Sequence, residues 1–195
     1  MIQKEIILAS SSPRRKKLLQ DLGIPFISVD PNIDEEMILT KIARDNNIEE
    51  KAMLISRSKA ETVSKQYPGR LILAADTLVV VENNILGKPI SIKEAIQFLK
   101  RLSNKSHSVI TGFTLLFNEV VFSDFDRTNV GVRSLSEEEI NNYCLNEQVL
   151  EAAGGYKIQS FYPDYVTAFY GSYHNVVGLP VAKVYEMIWH FFTKN

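Results

Sequence analysis

Residues 6–19 read Ile6-Ile7-Leu8-Ala9-Ser10-Ser11-Ser12-Pro13-Arg14-Arg15-Lys16-Lys17-Leu18-Leu19. The apolar run at the start has the length of a short buried strand, and the rest has the chemistry of a helix entry. Ser12 suits the N-cap position. Pro13 suits the first helical position, where its missing N–H would have had no partner. A strand that passes directly into a helix is the unit from which α/β sheets are built. The same junction would gather serine hydroxyls, backbone N–H groups and the positive end of the helix dipole at one point. Arg14 and Arg15 add planar forks matched to phosphate oxygens. The segment therefore reads as an anion site at the edge of a sheet, with a phosphorylated ligand as its natural occupant. Taken alone, it also fits an ordinary solvated helix start.

Working outward, Gly23 closes the first helix and Phe26-Ile27-Ser28-Val29 forms a second short strand. Residues 30–36 form an acidic loop around Pro31. A helix is expected from about Ile48 to Tyr67. Leu71 to Val81 is a strongly apolar run interrupted only by Asp76-Thr77, and Asn83-Asn84 marks a turn. Ser91 and Glu94 form a capping box for a helix ending at Leu102, and Ser136 and Glu139 repeat it for another. Ser106 to Phe117 and Val120 to Val132 are two long strands joined at Asn118-Glu119. Gly171 to Pro180 is a loop before the final helix, which starts near Val181 with Val181, Val184, Tyr185, Ile188 and Phe192 on one stripe. The pattern predicts an α/β fold with a mixed twisted sheet flanked by helices.

Composition bounds the function. The chain has 195 residues, 45% hydrophobic and 23% charged, with a formal net charge of −1. That length supports a single domain with an ample core. Near-neutral charge argues against a general nucleic-acid or membrane-surface binder. The one cysteine, Cys144, rules out an internal disulfide and reads as a core residue of a helix. The first apolar run is too short for a signal sequence, and no stretch approaches the roughly 18–20 apolar residues that span a bilayer. A cytoplasmic location is expected.

Asp76 is the second chemical signal. A carboxylate inside Leu71–Val81 is costly to bury without a hydrogen-bond network, a cation or a metal. It reads either as a strand-end residue holding a loop or as a base or metal ligand opening onto a cleft. Asp34-Glu35-Glu36 offers further carboxylates, and Mg²⁺ is commonly held by one or two carboxylates plus substrate phosphates. Lys88, between Gly87 and Pro89, is a cation on a constrained backbone, without the glycine spacing of a Walker A loop. Lys59, on a helix, reads by itself as a surface residue. The three histidines, His107, His174 and His190, lack zinc spacing, and no Gly-x-Ser-x-Gly elbow is present.

The motifs resemble, in order, those of the Maf family: Ala9-Ser10-Ser11-Ser12-Pro13-Arg14-Arg15, Ile33-Asp34-Glu35, Ser58-Lys59-Ala60, Ala75-Asp76-Thr77, Gly87-Lys88-Pro89, His107 to Gly112, Gly154 to Gln159 and Gly171 to Pro180. The resemblance covers residues 6 to about 190. It implies a single Maf-like domain over residues 1–195. The implied fold is elongated and two-lobed, with a central mixed sheet and a cleft between the lobes, as in the inosine triphosphate pyrophosphatases. It also implies a nucleoside triphosphate pyrophosphatase that releases a nucleoside monophosphate and pyrophosphate. On that resemblance Asp76 is the base that activates water, and Glu35 and Asp76 hold a divalent cation, Mg²⁺ or Mn²⁺. Ser10, Arg15, Lys59 and Lys88 hold the triphosphate. Arg14, Thr77 and Gln159 match the positions that sort subfamilies, and their identities resemble the branch acting on dTTP and UTP rather than on 7-methyl-GTP. The glutamine amide can both donate to and accept from a base edge. A homodimer is also implied.

Three positions depart from the family pattern: Ala152 replaces a usual lysine, while Ser160 and Ser11 replace usual glycines. A second reading of the chain is a non-catalytic, nucleotide-binding regulator of cell division and septum formation. The presence of Asp76, Glu35, Lys59 and Lys88 favours the enzyme, since binding alone requires no base.

Overall fold

The computed structural model describes residues 5–42 and 47–194, with the side chains of Glu36, Lys41 and Lys194 outside the description. Its elements, in chain order, are β1 (Ile6–Ala9), α1 (Pro13–Asp21), β2 (Phe26–Val29), α2 (Glu35–Lys41), α3 (Ile48–Ser64), β3 (Ile72–Val81), β4 (Asn84–Leu86), α4 (Ile92–Leu102), β5 (Ser106–Phe117), β6 (Val120–Val132), α5 (Glu137–Asn146), two short 3-10 turns, α6 (Ile158–Tyr165), β7 (Val166–Tyr170), α7 (Tyr173–Val177) and α8 (Val181–Lys194). One sheet runs in the order β2-β1-β3-β5-β6-β7, with β4 paired to β3. β1 pairs in parallel with β2 and β3, whereas β3–β4 and β6–β7 are antiparallel. The mixed sheet with flanking helices is the α/β fold expected from the sequence.

The chain divides into two compact units. The first comprises Met1–Asp76, Thr111–Asp126 and Gly178–Asn195; the second comprises Thr77–Ile110 and Arg127–Val177. In the first, β1, β3, β5 and α3 share a core of Ile7, Ala9, Ala60, Val63, Ile72, Ala74 and Leu116. Small residues bring the layers close. A Cβ at Gly112 of β5 would lie 2.4 Å from the backbone carbon of Ala52 on α3, so only glycine fits that crossing. Ser56 of α3 shares a hydrogen bond of 2.8 Å with Thr114 of β5.

In the second unit, α4 buries Ala95, Leu99 and Leu102. A cluster of rings from Tyr143, Tyr156 and Phe161 fills the space around α5 and α6, with centroids 4.8–5.2 Å apart along the contacts to Phe161. Thr128 of β6 is the clip for the segment after β7. Its hydroxyl donates to the Ser172 carbonyl and accepts from the Ser172 N–H and from Asn175 Nδ2. Gly171 has φ 133°, and a Cβ there would meet Thr128 Oγ1 at 2.6 Å.

Several local expectations change. Ser12 occupies the N-cap position of α1, but its hydroxyl makes no capping bond. Instead its N–H donates to Ser10 Oγ at 3.2 Å. The acidic loop is shorter than expected because Asp34 accepts from Met37 N–H and starts α2 at Glu35. α3 begins with a full capping box of Asn47 and Glu50 and stops at Ser64. The β3–β4 turn sits at Glu82 and Asn83, both with positive φ, one residue earlier than Asn83-Asn84. At α4 only half of the expected box forms: Ser91 accepts from Glu94 N–H, while the Glu94 carboxylate reaches back to Ile90 N–H.

The box at Ser136 and Glu139 is complete. The segment 171–180, expected as a loop, contains α7, and α6 and β7 carried no periodic signal. On the α8 stripe Val184 and Ile188 are fully buried, but Tyr185 is exposed and stacks on Trp189. His107 lies inside β5, and Cys144 is buried on α5 as expected. Among the described residues no helix is long and apolar enough to cross a membrane.

Candidate active site

The β1–α1 junction presents Ser10 and Arg15 together. Ser10 is buried; its Oγ accepts from Ser12 N–H and from Arg15 Nη1 at 3.3 Å, and its carbonyl accepts from the Ser28 hydroxyl. A serine oxygen that accepts twice still has its own proton to donate, so Ser10 can offer it to a ligand oxygen. Arg15 is fixed at its other side, where Nε donates to the Gly178 carbonyl at 2.8 Å. Burial pushes the Arg15 pKa down from its usual range, opposed by the carboxylates of Asp76 and Glu35 and reinforced by neighbouring Arg14. A guanidinium remains charged under such shifts.

Lys59 is at the centre of the constellation. The buried residues of α3 are Ala52, Ile55, Ser56, Lys59, Ala60 and Val63, a helical stripe that aims Lys59 inward. It is only 4% exposed, contrary to the surface reading of this residue. Its Nζ lies 2.5 Å from Asp76 Oδ1 and 2.7 Å from Glu35 Oε1, with the Ala75 carbonyl at 3.5 Å. Asp76 is 5% exposed on β3, between buried Ala75 and half-buried Thr77. The cost of burying this carboxylate is met by the ammonium. Glu35 reaches the same ammonium from the first residue of α2.

The two carboxylates therefore converge, each with an oxygen within 2.7 Å of one nitrogen. That donor set suits a hard divalent cation which takes one or two carboxylates and completes its shell with waters and phosphate oxygens. Among the described residues no group of three or more histidine, cysteine, aspartate or glutamate side chains is placed to hold a metal. The side chain of Glu36, a third carboxylate in the sequence, lies outside the described residues.

Ser10, Arg15, Glu35, Lys59 and Asp76 thus meet within the first unit, and Arg14, half-buried, sits beside them on α1. Thr77, Lys88 and Gln159 belong to the second unit. Thr77 is half-buried, and Lys88 and Gln159 are exposed. The Gly87 carbonyl beside Lys88 accepts from Gly154 N–H at 2.9 Å. Gln159 rides on α6, whose entry is tied to α5: Tyr143 Oη accepts from Lys157 N–H and shares a hydrogen bond with Ser160 at 3.1 Å. The serine in place of glycine at 160, on the helix that carries Gln159, thereby gains a partner on α5. Ala152, in place of lysine, is buried and closes a 3-10 turn.

His107 of the second unit has a structural part. Its Nε2 shares a 2.7 Å hydrogen bond with Tyr156 Oη, and burial pulls its pKa down to about 4. Sequence reasoning missed Gly178 as the anchor of Arg15; the Gly178-Leu179-Pro180 punctuation after α7 was its only trace.

The family model described as Maf-like protein matches residues 5–191. The dTTP/UTP pyrophosphatase of Alkaliphilus oremlandii is 41% identical over 98% of this chain and 98% of its own. The protein of that name from Pyrococcus abyssi is 42% identical over 94% of each chain, and that of Symbiobacterium thermophilum is 38% identical over 96% of this chain and 94% of its own. A family match over residues 5–191, joined to relatives alike over nearly their whole length, establishes that this chain belongs to the Maf family.

Proposed function

We propose that the protein is a nucleoside triphosphate pyrophosphatase acting on dTTP and UTP, modified pyrimidine triphosphates included. The observation that carries the reading is the convergence of Glu35 and Asp76 on Lys59 in a chain so similar to proteins named dTTP/UTP pyrophosphatase. A water oxygen attacks the α-phosphorus. Its proton passes to the Asp76 carboxylate, the bond from the α-phosphorus to the bridging oxygen breaks, and pyrophosphate leaves with that oxygen. The nucleoside monophosphate is the other product.

Ser10 and Arg15 bind triphosphate oxygens, one as a hydroxyl donor and the other as a fixed cation. Lys88 is a further cation for the triphosphate. Glu35 and Asp76 would hold Mg²⁺ or Mn²⁺, which when bound supplies charge neutralisation on the phosphates. Arg14, Thr77 and Gln159 select the base. The protein works as a single Maf-like domain, as a homodimer, on free cytoplasmic nucleotides rather than nucleic acid. The alternative, a regulator of cell division that binds nucleotide without turnover, has less support, because binding alone requires no base such as Asp76.

The test is turnover of dTTP, UTP, CTP, GTP and 7-methyl-GTP with Mg²⁺ or Mn²⁺, detecting pyrophosphate and phosphate separately. Pyrophosphate from dTTP and UTP is expected. Asp76→Asn should lower the rate by about 10²–10⁴-fold while its circular dichroism stays native, since an amide oxygen can still accept from Lys59. Near-normal activity of that variant, or silence on the whole panel, contradicts the reading.

A further inference from the structure

Lys59 is asked to do two incompatible things at once. The family pattern gives it to the triphosphate, yet its ammonium is buried and spent on Asp76 Oδ1, Glu35 Oε1 and the Ala75 carbonyl. An ammonium has three protons to donate, and these three acceptors account for all of them. The same two carboxylates are those that would hold the divalent cation. The ammonium holds one oxygen of each carboxylate, and a metal ion taken up by the same two carboxyl groups would lie close enough to it for strong mutual repulsion.

We propose that Lys59 is an exchangeable counter-ion. In the metal-free protein it neutralises and holds together Glu35 and Asp76; when a divalent cation takes those carboxylates, Lys59 leaves them and its charge becomes available to the phosphates. The inference rests on the reading of Glu35 and Asp76 as the metal-binding pair. Two physical facts support it. The lysine stem is a flexible four-carbon chain bearing a point charge, so the ammonium can move while the stem stays packed in the α3 stripe. The charge points the same way: with Arg15, whose guanidinium acts on both carboxylates, Glu35, Asp76 and Lys59 sum to zero, and a divalent cation beside an unmoved ammonium would leave +2. Lys59 thus positions the two carboxylates and becomes a phosphate ligand when a cation takes its place. Metal and substrate binding are thereby coupled through one side chain.

The experiment is calorimetric titration of Mn²⁺ alone into the full-length protein, its Lys59→Met variant and its Glu35→Gln variant. Lys59→Met removes the competitor, so it should bind Mn²⁺ at least about tenfold more tightly than the unaltered chain. It should also lose melting temperature without metal and regain it with Mn²⁺. Equal or weaker Mn²⁺ binding by Lys59→Met overturns the exchange. Glu35→Gln separates the two failures. If it binds Mn²⁺ as the unaltered chain does, the metal pair itself is wrong; if it loses Mn²⁺ while Lys59→Met gains nothing, the pair stands and the exchange falls. A readout on the unaltered chain covers a variant that does not fold. The ¹⁵N signal of Lys59 Nζ, assigned through its side-chain carbons, should shift on saturation with Mg²⁺, and an unmoved signal contradicts the proposal.

Discussion

Arg15 Nε donates to the carbonyl of Gly178 at 2.8 Å, joining residues 163 positions apart in the chain. Gly178 has φ 126°, a backbone region that favours glycine. The start of the first helix and the entry to the last are thus tied through the guanidinium that faces the candidate phosphate site. With Nη1 on Ser10 Oγ, Arg15 is held on two sides. Arg15→Lys keeps the charge but cannot keep both bonds. Its KM for dTTP should rise about tenfold or more, the equivalent of about 1.4 kcal/mol, with a smaller change in kcat. An unchanged KM would show that the fork contributes nothing to substrate binding.

His107 gives the fold a pH dependence of its own. Burial lowers its pKa from 6.5 to about 4, so the folded protein keeps it neutral while the unfolded chain protonates it first. Its effect is nil above pH 6.5; stability is then lost as pH falls from 6.5 towards 4 and stays lost below. A shift of that size corresponds to about 3 kcal/mol. Urea unfolding of the unaltered chain and of His107→Gln across pH 4–7 should show the slope in the first and one proton less of it in the second. Parallel slopes would contradict the assignment.

Gly112 is a packing constraint in the first unit. A methyl group there meets the Ala52 and Met53 backbone at 2.4–2.6 Å, and neither strand nor helix backbone can yield cheaply. Gly112→Ala should destabilise the protein by about 3 kcal/mol, the upper part of the usual range for overpacking. A fall of the urea midpoint at constant slope would register it, and a midpoint within experimental scatter of the unaltered chain would mean that α3 and β5 separate freely.

Gln159 is exposed on α6, where its amide can offer both a donor and an acceptor. Gln159→Glu retains the shape and loses the donor. The ratio of kcat/KM for UTP over CTP should fall about tenfold, with pyrophosphate still the product. A uniform loss across all bases would place Gln159 in phosphate handling instead.

The extent to which the sequence foretold these features follows from how local their causes are. The strand–proline–helix junction, the joined strands β5 and β6 and the box at Ser136 depend on neighbours a few residues apart, and they stand where the pattern put them. α6 and β7 did not announce themselves because their order comes from Tyr143 and from pairing with β6, both distant in sequence. Lys59 was misread because a charged residue on a helix is usually solvated; the alternation Ala52-Ile55-Ser56-Ala60-Val63 around it was the signal that it faces the core. Asp76 showed itself through its cost, but its partner Lys59, seventeen residues away, could be identified only from the three-dimensional arrangement.

The central claim is water attack at the α-phosphorus with Asp76 accepting the proton. Turnover of dTTP in ¹⁸O-water, with mass analysis of both products, tests it most directly. The account predicts a single ¹⁸O in the nucleoside monophosphate and none in pyrophosphate. Label in pyrophosphate, or release of orthophosphate with label in it, would place the attack on another phosphorus and contradict the account.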